Sequence, residues 1–117
     1  MPKRDVFSFP FSTIYPLLVQ KVEKKGRSKS DVDSVIEWMI GYTAKDIDDM
    51  AKSDITYGSF LSLAPSPNPK RLDKKGRICG LRVEEIQNPQ ERDMRILDLM
   101  VDEIAKGKSL KRIFMEE

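Results

Sequence analysis

Two aspartates near the end of the chain have the spacing that most resembles a reactive pair. Asp98 and Asp102 lie four residues apart, which places both on one face of a helix. Paired carboxylates in that arrangement can bind a hard cation or share a proton. Arg95 lies on the same face, and ion pairs between such neighbours are the commoner use of helix-face charges. We therefore expect a solvated charged face here, and we predict neither a metal site nor a cofactor.

A second group places an arginine next to two carboxylates, in the segment Arg82-Val83-Glu84-Glu85. A guanidinium can hold an anionic ligand through two parallel hydrogen bonds, so Arg82 and Glu85 are candidate binding residues. The alternative, which we favour, is a structural ion pair between Arg82 and these carboxylates. Such a pair would fix the segment against the last long helix.

Trp38 and Tyr42 are the other two candidate binding residues. They lie together at one edge of the apolar stripe of a helix predicted over residues 31–41, and they widen that stripe on one side. Trp and Tyr combine a large contact area with a polar tip, and they are enriched where proteins interact. A ligand or a second copy of the chain, forming a homodimer, would fit this edge. The alternative is burial in the core, where most aromatic stripes lie.

Several kinds of catalytic site are excluded by composition. The chain has no histidine and a single cysteine, Cys79, so it cannot contain a Ser-His-Asp site, a Cys-His site or a zinc site that uses histidine. We expect Cys79 to be a small buried side chain rather than a nucleophile. A lone thiol also suits a reducing compartment. The composition favours a protein without enzymatic activity, although carboxylates with Lys or Arg could still build an enzyme site.

The charges nearly cancel, with 21 Lys and Arg against 19 Asp and Glu and a net charge of +2. Such a balance gives no overall attraction to nucleic acid or to anionic membranes. The first two predicted helices and the basic segment 24–29 between them could imitate a helix-turn-helix. Asp31, Asp33 and Glu37, however, are expected on the exposed side of the second helix, where they would repel phosphates. Nucleic-acid binding through the basic loops is therefore a disfavoured alternative.

No apolar run in the sequence reaches the length of a signal peptide or of a membrane-spanning helix. We therefore expect a cytoplasmic protein without a membrane partner.

Apolar spacing, caps and helix breakers predict a mainly α fold, a compact single domain over residues 1–117 with five or six helices. The predicted helices cover residues 13–25, 31–41, 43–51, 57–63 and 89–106, and a short tail helix begins at Ser109. The proline-rich segment 64–69 is a loop. Alternation around Cys79, Leu81 and Val83 predicts a strand within residues 77–86. This strand could pair with residues 6–9 in a small two-stranded β element.

A set of short motifs follows one another along nearly the whole chain: Tyr15-Pro16-Leu17, Lys24-Lys25-Gly26-Arg27, Trp38 with Gly41-Tyr42, Asn68-Pro69, Ile78-Cys79-Gly80 with Arg82 to Ile86, and Ile96-Leu97-Asp98 with Asp102-Glu103. This order resembles domain-of-unknown-function family 2200, a family of small uncharacterised bacterial proteins. The resemblance implies a bacterial, cytosolic, stand-alone protein, and it carries no catalytic residue over. The chain departs from the family pattern near residues 87–93 and at Ile40.

The sequence thus predicts a non-enzymatic interaction module or small-ligand-binding module. A nucleic-acid-binding protein that uses the basic loops is the first alternative, and an enzyme built on carboxylates with Lys or Arg is the second.

Overall fold

In the computed structural model, which describes residues 6–78 and 80–116, the chain forms six α-helices and one two-stranded sheet. This confirms the predicted mainly α fold. Short 3-10 turns lie at Val6–Ser8, Pro69–Asp73 and Val83–Glu85. The helices and strands are α1 (Phe11–Glu23), α2 (Lys29–Ile40), α3 (Ala44–Ala51), α4 (Tyr57–Ser62), β1 (Arg77–Ile78), β2 (Leu81–Arg82), α5 (Pro89–Ala105) and α6 (Leu110–Ile113).

Capping side chains explain where most of the helices begin. The Asn88 side chain accepts a hydrogen bond of 2.9 Å from the Glu91 N–H at the start of α5. Thr43 and Asp46 bond reciprocally to each other's backbone N–H at the start of α3, at 3.1 and 3.2 Å. Helix α2 begins two residues earlier than predicted, because Ser28 rather than Ser30 takes the cap position and its N–H donates to the Asp31 carboxylate at 3.3 Å.

The predicted pairing of the two strand-like segments is wrong. Strand β1 pairs with β2 in an antiparallel hairpin, with Arg77 opposite Arg82 and Ile78 opposite Leu81. The segment before α1 forms a 3-10 turn and is held instead by the start of α4. There the Phe9 carbonyl accepts the Tyr57 N–H at 2.8 Å, and the Phe11 N–H donates to the Ile55 carbonyl at 2.8 Å. Cys79 lies outside the described residues, so its expected burial stays a prediction.

Helix α5 occupies the centre of the molecule and packs against α1, α2, α4 and α6. The buried apolar side chains form one cluster, in which the Phe11 and Phe60 rings stack with their centroids 4.0 Å apart. The eight buried residues of α5 point to more than one side of the helix, as its wide apolar pattern predicts: Met94, Ile96, Leu97, Leu99, Met100, Val101, Glu103 and Ile104.

A buried ion pair fastens the chain's last turn to α5. The Lys74 side chain is 4% exposed, and its ammonium lies 2.7 Å from a Glu103 carboxylate oxygen and donates to the Ile113 carbonyl at 2.8 Å. Lys108 pairs with the other Glu103 oxygen at 3.2 Å. Buried charges are tolerated when they are paired in this way, so this cluster has a structural role in holding α6.

The proline-rich loop crosses the carboxyl end of α2. The Ser66 N–H donates to the Ile40 carbonyl at 3.1 Å, and the Asn68 N–H donates to the Met39 carbonyl at 2.9 Å. These bonds satisfy helix-end carbonyls that have no partner inside the helix. Gly41 ends the helix at a φ of +90°, and a Cβ at this position would lie 2.7 Å from the Ser66 Cβ. Glycine is therefore required here by both conformation and space.

Candidate functional site

The structure places Trp38 and Tyr42 in different surroundings. Tyr42 is 4% exposed, its hydroxyl donates to the Phe60 carbonyl at 2.7 Å, and its ring stacks on the Phe60 ring at 4.7 Å. Tyr42 is thus a core residue. Trp38 is half-buried and stacks on Phe114 of the chain end, with ring centroids 5.0 Å apart and an interplanar angle of 7°. Of the predicted pair, only Trp38 retains an accessible edge.

Arg82 and Glu85 are both exposed, at the end of the hairpin and in the turn that follows it. Among the described residues, Arg82 has no carboxylate within ion-pair distance, so the expected structural ion pair is wrong. The neighbouring Glu84 carboxylate accepts the Gly76 N–H at 3.2 Å. Neither of the two clefts described below is lined by Arg82, Glu85, Trp38 or Tyr42. Ligand binding by these residues stays a prediction.

The basic segment before α2 is partly used within the fold. An Arg27 guanidinium nitrogen donates to the Lys108 carbonyl at 2.8 Å, beyond the end of α5, and another lies 3.0 Å from Asp31. Asp33 is buried rather than on the exposed side of α2, which corrects the expectation from the charge pattern. It accepts a hydrogen bond from the Tyr15 hydroxyl and pairs with Lys29 at 2.9 Å.

The two carboxylates of the predicted pair lie in different environments. Asp102 forms ion pairs with Lys21 at 3.3 Å and with Lys106 at 3.0 Å. Asp98 has a looser partner, an Arg95 nitrogen 3.9 Å away. The part of the chain that the structure describes contains no cluster of three or more acidic or cysteine side chains that could hold a metal ion. Asp102 therefore has a structural role in ion pairs, whereas Asp98 lines a cleft.

That cleft, which we call the Tyr57 cleft, has a volume of about 280 Å³ and lies between the turn before α1, α1 itself, the start of α4 and α5. Its polar residues are Tyr57, Arg95 and Asp98. The remaining wall is apolar, and it includes Leu17, whose side chain is 57% exposed at the rim. The apolar lining residues are Val6, Ile14, Leu17, Leu18 and Met94.

Tyr57 is the residue of the cleft that the fold itself does not explain. It is 2% exposed, and its hydroxyl has no hydrogen-bond partner within residues 6–78 and 80–116, which the structure describes. Burial, with a smaller contribution from the nearby Asp98 carboxylate, raises the pKa of Tyr57 well above its ordinary value, so the hydroxyl keeps its proton. A buried polar group without a partner costs about 1–3 kcal/mol. An outside hydrogen-bonding partner at this position would remove that cost.

Arg95 and Asp98 line the same cleft as Tyr57. Within the described part of the chain, the buried Arg95 Nε has no hydrogen-bond partner. Burial raises the pKa of Asp98, against the opposing effect of Arg95 and Lys21. The cleft thus combines an arginine, a carboxyl group, a tyrosine and an apolar wall, the usual composition of a small-molecule site.

A second cleft, of about 330 Å³, lies between the end of α4 and the start of α5. Its polar side chains are already bonded within the protein. The Gln90 amide donates to the Gly58 carbonyl and to the Ser62 hydroxyl, each at 3.0 Å, and Asp93 pairs with Arg71 at 2.8 Å. Although it is the larger cleft, it has fewer unsatisfied groups to offer a ligand than the Tyr57 cleft.

Of the three polar residues of the Tyr57 cleft, only Asp98 is a candidate for chemistry from the sequence alone. The helical spacing of Arg95 predicts helix-face ion pairs, and Tyr57 is only the first residue of a predicted short helix. The missing signal is tertiary, because the cleft exists only where the turn before α1 crosses the start of α4.

Comparison with known proteins gives the family of the chain. Residues 5–115 match the model of the protein family DUF2200. This family is described as an uncharacterised protein conserved in bacteria. The chain therefore belongs to this family, as the motif order predicts. A solved structure, the crystal structure of uncharacterized protein SP1917, is similar at 36% sequence identity and a TM-score of 0.92. The match covers 98% of this chain and 94% of that one. No curated protein matches the chain.

None of the helices formed by the described residues is both long and apolar enough to cross a membrane.

Proposed function

We propose that this bacterial protein is a non-enzymatic binding protein for a small molecule with one polar and one apolar end, and that the molecule occupies the Tyr57 cleft. The observation that carries the proposal is Tyr57, which lines a cleft and whose buried hydroxyl has no hydrogen-bond partner in the part of the chain that the structure describes. Sites that bind ligands commonly hold groups in arrangements that cost stability. A lone cysteine in 117 residues also supports a cytoplasmic location.

The proposal is tested by methyl NMR with four probes of similar size and branched carbon skeleton: isohexanol, isocaproate, isoamylamine and leucine. We expect at least one of them to shift the methyl signals of Ile14, Leu17 and Met94 in a saturable way. These three side chains line the apolar wall. If none of the four probes shifts those signals, or if the shifts fall elsewhere in the protein, the proposed site is wrong.

A matched pair of surface variants separates the cleft from general apolar binding. Leu17 and Leu63 are both exposed, at 57% and 64%, but only Leu17 lines the Tyr57 cleft. Leu17→Gln should weaken the tightest-binding probe about threefold or more, because it removes apolar area from the wall. Leu63→Gln should leave that affinity unchanged. Equal effects of the two substitutions would indicate non-specific binding.

A further inference from the structure

We propose that the ligand of the Tyr57 cleft is an aliphatic α-amino acid bound as its zwitterion, with its carboxylate on Arg95 and Tyr57 and its ammonium on Asp98. This inference rests on the proposed function and deepens it. Three features of the cleft lead to it: its charge, the loose contact between its two charged groups, and its size.

The polar end of the cleft has no net charge. Arg95 contributes a positive group, Asp98 a negative one and Tyr57 a neutral hydroxyl that keeps its proton. A ligand with a single charge would pair with one of the two ions and leave the other facing a like charge, which is unfavourable in a partly desolvated site. A zwitterion matches both ions at once.

The contact between Arg95 and Asp98 leaves room for such a ligand. Their closest nitrogen and oxygen lie 3.9 Å apart, beyond the 2.7–2.9 Å range of a charge-assisted hydrogen bond. The side chains of Arg95 and Asp98 are 25% and 30% exposed, so a ligand in the cleft can reach both charged groups. Among the described residues, the Arg95 Nε and the Tyr57 hydroxyl have no hydrogen-bond partner. An α-amino acid carries its ammonium and its carboxylate on the same carbon, which suits two side chains one helical turn apart, here at positions 95 and 98.

The volume and the apolar wall set the size of the side chain. The cleft volume of about 280 Å³ lies at the lower end of the roughly 300–1,000 Å³ of ligand pockets, so a small ligand such as leucine, isoleucine or methionine suits it. The wall contains only aliphatic carbon and the thioether of Met94, so an aliphatic or thioether side chain fits it and a charged side chain does not.

The test is a titration of the natural chain with the same four probes. Leucine should bind at least tenfold more tightly than isocaproate, which lacks the ammonium, and than isoamylamine, which lacks the carboxylate. It should also bind more tightly than uncharged isohexanol. If any of these three binds as tightly as leucine at the Tyr57 cleft, the amino-acid inference is overturned while the proposed function stands. If none of the four binds there, both are overturned.

A pair of isosteric variants tests the role assigned to Asp98. Asp98→Asn should abolish the preference for leucine over isocaproate, because the ammonium loses its ionic partner. Asp102→Asn, one turn further along α5 and outside the cleft, should leave that preference intact. A preference that survives Asp98→Asn, or disappears with Asp102→Asn, contradicts the assignment. Circular dichroism of both variants shows whether each has kept its helices.

Discussion

Two tyrosines with nearly equal burial differ in what their hydroxyls do. Tyr42 is 4% exposed and donates to the Phe60 carbonyl at 2.7 Å. Tyr57 is 2% exposed, and its hydroxyl has no hydrogen-bond partner among the described residues. The hydroxyl of Tyr42 is thus bonded within the fold, whereas under our proposal that of Tyr57 bonds to a ligand. A tyrosine's contribution to stability therefore has to be judged from its hydrogen bonds and not from its burial alone.

We expect Tyr42→Phe to lower the free energy of unfolding by about 0.5–1.5 kcal/mol, the usual worth of a hydrogen bond, with an added cost for the unpaired Phe60 carbonyl. Urea denaturation measures this loss. Probe affinity at the Tyr57 cleft should not change. A variant as stable as the natural protein would show that the bond to Phe60 contributes little.

The two aspartates of α5 should give opposite pH dependences. Burial raises the pKa of Asp98, so the folded protein binds its proton more tightly than the unfolded chain. The stability from this group is present below the unfolded pKa and is lost as the pH rises through the folded pKa. Asp98→Asn should therefore gain stability relative to the natural protein as the pH rises above the unfolded pKa of about 3.9. Urea denaturation at several pH values checks this.

Asp102→Asn provides the control of opposite sign. Burial acts to raise the pKa of Asp102, but the ion pairs with Lys106 and Lys21 outweigh it and leave that pKa below its ordinary value. Its stabilising effect is present above the unfolded pKa and is lost as the pH falls through the folded pKa. This variant should therefore lose stability relative to the natural protein over the same rise in pH. If the stability change relative to the natural protein varied with pH in the same direction for both variants, the two aspartates would not lie in different environments.

At the scale of elements, local signals predict several helix ends correctly. The structure shows side-chain caps at Thr43, Asn88 and Ser109. It also shows Gly107 in the left-handed conformation just after α5. The start of α2 was misplaced because two serines could each serve as its cap. The hairpin partner was misassigned because alternation predicts a strand without saying what it pairs with.

Gly41 joins the end of α2 to the proline-rich loop, and a matched pair of glycines isolates that contact. Gly41 and Gly107 both have a φ of +90°, but only Gly41 has Ser66 within reach of a Cβ, at 2.7 Å. Gly107→Ala should cost roughly 1–2 kcal/mol from the left-handed conformation alone. Gly41→Ala should cost at least about 1 kcal/mol more, because the loop must move off two hydrogen bonds to α2. If urea denaturation showed the same loss of unfolding free energy for both variants, the loop would be able to move away from Gly41 at no measurable cost.

At the scale of the whole molecule, the buried apolar side chains of the described residues form one cluster, and the single domain over residues 1–117 stays a prediction. We expect one cooperative unfolding transition for this reason. Trp38 is the only tryptophan and stacks on Phe114 at the chain end, so its fluorescence reports that end, whereas far-ultraviolet circular dichroism reports all the helices. The two signals should coincide in urea. A fluorescence change at lower urea would show that the chain end unfolds separately.

A homodimer stays a prediction.

The site could be predicted less well than the fold, since a cleft depends on which elements meet. Helical spacing placed Asp98 beside Arg95 from the sequence alone. Tyr57 could not be added, because its position opposite them depends on the bridge between Pro10 and Thr56, far apart in the chain. Its lack of a hydrogen-bond partner is likewise a property of the packed molecule and has no counterpart in the sequence.

The most direct measurement is Tyr57→Phe, assayed both for unfolding in urea and for affinity toward the tightest-binding of the four probes. The hydroxyl has no hydrogen-bond partner among the described residues, so its removal should leave the free energy of unfolding unchanged or raise it by up to about 1 kcal/mol. The same change should weaken the probe about tenfold, or about 1.4 kcal/mol. A loss of stability of about 1 kcal/mol with undiminished affinity would show that the hydroxyl supports the fold and not a ligand, and would contradict the assignment of the Tyr57 cleft.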